Sequence, residues 1–165
     1  MSTASLPAEP TYTEAEAHRH FAYQCNQHVW SLVTKPARTA AEDAEMLDAA
    51  HASLFHWRYA GTGVHLQRGE WLISHVYALL DMGDGALRHA ERCLALTAEH
   101  QGEIEDFDVA YGYLGMARAH AMLGHTVDAQ KYLALAEAAG SAISDDEDRE
   151  IFTNDLVGGN WYGLR

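Results

Sequence analysis

A chain of 165 residues with 24 acidic side chains against 11 basic ones carries a formal charge of −13. It is one domain's worth of protein, able to bury a core, and it repels a polyanion rather than steering it in, which excludes nucleic acid as a partner. Two cysteines offer no disulfide framework, no apolar run reaches the roughly 18 residues of a membrane span, and no basic-then-apolar leader opens the chain, so no membrane partner and a cytoplasmic setting are expected.

Alanine and leucine are abundant and glycine and proline sparse, a balance that favours helices. Residues 1–12, with Pro7 and Pro10 among small polar residues, read as a flexible arm. Thr13 then caps a first helix over 13–34, in which Phe21, Ala22, Cys25, Val29, Leu32 and Val33 recur at helical spacing until Lys35-Pro36 ends the run. Thr39 with Glu42 forms a capping-box pattern for a second helix, which runs to Tyr59 before Gly61-Thr62-Gly63. Further helices are expected over 65–82, 84–100, 105–123 and 126–143. The acids from Asp145 suit the N-terminus of a seventh helix, and Gly158-Gly159 stops it, so the helical domain covers 13–157. The tail 158–165 contains Trp161 and Tyr162, which either fold back or pack on a second copy of the chain, because a large apolar surface is costly in water.

Helices joined by links this short pack as antiparallel neighbours. The block "WLISHVYALLDMGDGALRHAERCLAL" aligns with "YLGMARAHAMLGHTVDAQKYLALAEA" when Ala86 overlies Ala129 and Tyr77 overlies His120. Ile73 then meets Met116, Ser74 meets Ala117, Ala90 meets Leu133 and Cys93 meets Ala136. In the second block Tyr113, Met116, Ala117, His120, Gly124, Ala129, Leu133 and Ala136 fill an eight-position frame that resembles the tetratricopeptide repeat. The first block departs at Glu70, where an aromatic is usual, and at Asp81, where the turn carries glycine. The copies lie forty-three residues apart, as Ala86 does from Ala129, against about 34 in the family. The resemblance implies an all-α, right-handed stack of three antiparallel helix pairs with a capping helix. The segments Lys35 to Thr39, Ala49 to Ser53, His56-Trp57 and Arg68 to Trp71 also resemble those of a group of bacterial proteins, which implies a bacterial setting.

In the family, the first helix of each pair lines a concave groove. Transferring that register brings Arg68, Trp71 and His75 together with Tyr111, Leu114 and Arg118. Two arginines beside aromatic rings suit a carboxylate, or an acidic or aromatic segment of a protein or peptide partner. An alternative polar set at the junction of the second, third and fifth helices comprises Trp57, Arg68, Glu70, His75 and Arg118, and would serve a small-molecule binder or an enzyme. Opposed to both is the plainer expectation that the arginines pair with the many acids.

The histidines do not form a metal motif. His51 and His56 are five residues apart and cannot share a helix face, which leaves only Cys25 with His28, and Glu45, Asp48 and His51 at successive threes. Cys25 and Cys93 fall on packing stripes as inert core thiols, and neither "GTG" nor "GDG" fits a phosphate-binding loop, so no metal or cofactor is expected. The whole pattern indicates a binding module rather than an enzyme.

Overall fold

The computed structural model describes residues 11–164, and the proline-containing segment 1–10 of the expected arm lies outside them, as does Arg165. Seven helices follow one another: α1 (Glu14–Val33), α2 (Ala40–Ala60), α3 (Gly63–Leu79), α4 (Gly83–Glu99), α5 (Asp106–Met122), α6 (Thr126–Ser141) and α7 (Asp146–Val157). No strand occurs among the described residues, and no helix is long and apolar enough to cross a membrane.

The helix starts follow the caps. Thr13 and Thr39 each close a capping box, with Glu16 and Glu42 returning a carboxylate to the cap backbone. α3 begins two residues earlier than the periodicity predicts, because the His65 ring takes the acid's place: its Nδ1 accepts from Thr62 N at 3.1 Å. The Asp145 carboxylate accepts from Glu147 N and Asp148 N at 2.9 and 3.0 Å, which seats the acidic run as the start of α7.

α1 packs on α2, α3 on α4 and α5 on α6, with α2 against α3, α4 against α5, and α3 also touching α5. α7 lies on α5 and α6. Two apolar clusters result. Val29, Leu32, Met46, Leu54, Leu72, Ile73 and Val76 join α1 to α3, while Ala110, Leu114, Ala117, Ala129, Phe152, Leu156 and Trp161 join α5 to α7 and the tail. Residues 158–164 thus fold back, with Trp161 buried and Tyr162 Oη donating to Asp81 Oδ1 at 2.7 Å.

The α3–α4 and α5–α6 turns share their geometry. Met82 N donates to Tyr77 O and His125 N to His120 O, both at 2.9 Å. Asp81 adopts φ 55° where Gly124 adopts φ 74°, so the aspartate takes the left-handed conformation that the glycine takes more readily. Ala86 and Ala129 are both fully buried behind these turns. Tyr77 stacks on His89 at 5.5 Å and 13°, and His120 on Tyr132 at 5.5 Å and 7°, the same contact with the two ring types exchanged.

Candidate functional site

α3 and α5 lie side by side, and with the last turn of α1 and one face of α7 they border a cleft of about 360 Å³. Trp30 of α1, Gln67 and Trp71 of α3, Phe107, Asp108 and Tyr111 of α5, and Asp148, Ile151 and Asp155 of α7 line it. The floor is rigid: the buried Gln67 amide donates to Asp108 O and to Thr97 Oγ1, each at 3.2 Å, tying three helices together.

The rings form walls at two angles. Trp30 lies 6.3 Å from Trp71 at 25°, and Tyr111 meets Trp71 edge-on at 5.2 Å and 76°. Phe107 in turn stands edge-on to Tyr111 at 6.1 Å. Tyr111 Oη donates to Asp155 Oδ2 at 2.6 Å, and burial together with this bond pushes its phenol up. His75 stacks on Trp71 at 5.2 Å and 10°, and burial beside the Arg118 cation pushes its imidazole down to about 4, so it is neutral at pH 7.

The two arginines expected to grip a carboxylate are engaged within the fold. Arg68 Nε and Nη2 reach Asp108 Oδ1 and Oδ2 at 2.8 and 2.9 Å, and Nη2 also reaches Glu105 Oε2 at 2.7 Å. The hydrogen bonds it donates to Asp108 hold the guanidinium above its ordinary value, and its Cζ lies 4.9 Å from the Phe107 ring centroid. Arg118 donates to the backbone oxygens of Asp155 and Gly158 and lies over the Trp161 ring, which fixes the C-terminal tail. Leu114 belongs to the core beneath, at 2 % exposure. Of the six expected groove residues, then, Trp71 and Tyr111 line the cleft, His75 and Arg118 line a separate hollow of about 290 Å³ with Asn160 and Tyr162 of the tail, Arg68 is locked beside the cleft and Leu114 supports it.

The alternative polar set does not converge. Glu70 is buried toward α4, where its carboxylate takes His89 Nδ1 at 2.6 Å and Arg92 Nε at 3.0 Å, with Arg58 at 3.9 Å. Trp57 packs on His65, with centroids 4.2 Å apart and the rings tilted by 35°. His28 is held by Glu45 at 2.9 Å, and no three His, Cys, Asp or Glu side chains cluster as metal ligands among the described residues. A larger hollow of about 630 Å³ between α6 and α7 is walled mainly by exposed polar side chains such as Glu137, Glu150 and Asn154.

Trp30, Gln67, Phe107, Ile151 and Asp155 escape the sequence reading, and Asp148 enters it only within the acidic start of α7. Aromatic residues at helix ends, Trp30 in the last turn of α1 and Phe107 in the first of α5, and the spacing Asp148, Ile151, Asp155 on one face of α7 are the signals that could have found them. The comparisons with known proteins return nothing: no family model, curated protein or solved structure matches the chain.

Proposed function

We propose that the chain is a cytoplasmic, tetratricopeptide-like stack of three helix pairs closed by α7, and that it acts as a binding module whose cleft holds a segment of a peptide or protein partner. The shared turn geometry at Asp81 and Gly124, with the equivalent ring stacks behind it, supports the stack. The observation that carries the binding role is the cleft, where four aromatic rings from three helices border a space of about 360 Å³. Ordered rings offered to solvent at the meeting of several helices are the kind of anchor on which recognition energy concentrates. A cleft with Trp30 left 37 % exposed has the character of a docking surface rather than of core.

Panning a random-peptide library on the full chain tests this reading. Enriched peptides should bind the Trp30→Ala variant at least about tenfold more weakly, while its melting curve stays close to that of the parent. Peptides that bind parent and variant equally would place recognition on another face and overturn the assignment of the cleft.

A further inference from the structure

The chemistry of the cleft defines the segment it takes, and this step rests on the binding-module reading above. We propose that the cleft accepts the cationic side chain, lysine or arginine, of a basic peptide segment, with the rings of Trp30, Trp71 and Tyr111 along the alkyl stem and the carboxylates of Asp148 and Asp155 on the rim attracting the charged head.

Three observations converge on a cation. The first is the charge of the lining. Among its nine residues there is no lysine or arginine, whereas Asp108, Asp148 and Asp155 are all acids. Asp108 is neutralised by the two bonds from Arg68. Asp155 gives one oxygen to Tyr111, leaving Oδ1 for a further donor, and the exposed Asp148 carboxylate makes no hydrogen bond or ion pair within the described residues. Asp148 and Asp155 lie two turns apart on α7; the Arg118 cation acts on Asp155, while Asp148 brings an unpaired charge to the rim, where an acidic segment would meet repulsion.

The second observation is the set of ring faces. An aromatic face carries negative quadrupole density and attracts an ammonium or guanidinium, most strongly where water is excluded. The fold itself makes this contact at the edge of the cleft, where the Arg68 guanidinium sits over Phe107. Trp30, inclined by 25° to Trp71, presents the same chemistry inside it, and among the described residues no lysine or arginine lies over either ring. The third is size and field. About 360 Å³ is at the lower end of ligand clefts, right for a long side chain with part of its backbone, and the formal charge of −13 steers a basic segment toward the surface.

The test uses three fluorescein-labelled peptides of one sequence, differing only in whether the guest positions carry lysine, norleucine or glutamate, with binding to the full chain followed by polarisation. Norleucine keeps the alkyl stem and removes the charge. The lysine peptide should bind at least about tenfold more tightly than the norleucine peptide. Asp148→Asn combined with Asp155→Asn should remove most of that ratio while retaining the acceptor for Tyr111, and added salt should weaken lysine binding alone. Equal binding of lysine and norleucine, or tighter binding of glutamate, would overturn the cation while leaving a peptide-binding cleft in place. Binding of none of the three, or binding unaltered by Trp30→Ala, would remove the binding cleft itself and the cation with it.

Discussion

Gly140 of α6 lies flush against Phe152 of α7: a β-carbon on the glycine would stand 2.1 Å from Phe152 Cε1 and 2.5 Å from Cδ1. Phe152 meets Tyr111 at 90° with centroids 5.0 Å apart, so the seating of α7 on a bare backbone also sets one wall of the cleft. Gly140→Ala should force the ring and its helix outward, at a cost of about 1 to 3 kcal/mol from overpacking. Denaturant melts measure that loss, and a weakened near-ultraviolet circular dichroism signal would report the loosened Tyr111 contact. A variant as stable as the parent would show that α7 is not held by this contact.

The buried alanines give the second expectation. Ala86 and Ala129 are fully buried behind turns of the same geometry, and Ala86 O accepts from Ser74 Oγ at 2.8 Å. Leucine at either position should destabilise the chain by about 1 to 3 kcal/mol. Unchanged midpoints in both variants would mean that the helix pairs do not close on these residues.

Much of the framework is legible because its determinants are local. Thr13, Thr39 and Asp145 mark helix starts by satisfying backbone donors next to them, and the turns at Asp81 and Gly124 follow from a comparison of two nearby blocks. The cleft is less legible, since periodicity says which face of a helix is apolar and not which neighbour covers it. Trp30 and Ile151 are more than a hundred residues apart in the chain and meet the same space only because the last turn of α1 and one face of α7 come beside α3 and α5. The arginines show the same limit in reverse. Register alone places Arg68 and Arg118 at the groove, but the buried Asp108 and the carbonyls of the returning tail, which satisfy them, become neighbours only in three dimensions.

Acid should weaken the fold through its histidines. Unfolded, the His75 imidazole takes a proton near its ordinary value of 6.5, whereas folded it does so only near about 4, because burial against the tryptophans and the Arg118 cation disfavours charge despite Asp155 nearby. Between those values the unfolded chain binds more protons, so His75's contribution is full above about pH 6.5 and is lost as the pH falls toward 4. Burial also depresses His51, His56, His65 and His120, and these add in the same direction. Urea melts from pH 7 to pH 4 should show falling stability, with a shallower slope in His75→Gln. An identical slope in that variant would remove His75 from the account.

The thiols should differ in reactivity. Burial, with smaller effects from the Asp108 and Glu70 charges, pushes the Cys93 thiol up to about 12, so almost no thiolate forms at pH 8. Cys25 is only half-buried and burial raises it less severely. A disulfide exchange reagent should modify Cys25 first and reach Cys93 only on unfolding. Equal rates for both in the native protein would show that α4 opens locally.

Arg68 and Asp108 give the last expectation. The arginine's outer side meets solvent, but the aspartate is buried at 3 % exposure and its carboxylate takes both bonds of the guanidinium fork. Removing the arginine strands that charge between α3 and α5, where Glu105 N is its other donor, at 3.3 Å. A buried pair broken from one side costs about 3 to 5 kcal/mol, and solvent on the arginine side reduces this, so Arg68→Ala should lose about 1 to 3 kcal/mol. Arg68→Lys should recover only part of it, because an ammonium cannot bond both carboxylate oxygens in the same fixed geometry. Adding Asp108→Asn to Arg68→Ala should cost less than the sum of the two single changes, since the second removes the charge that the first left unpaired. The measurement is a double-mutant cycle by chemical denaturation. Strict additivity would mean that the two side chains touch without stabilising each other, and would return Arg68 to the groove as a cation free for a ligand.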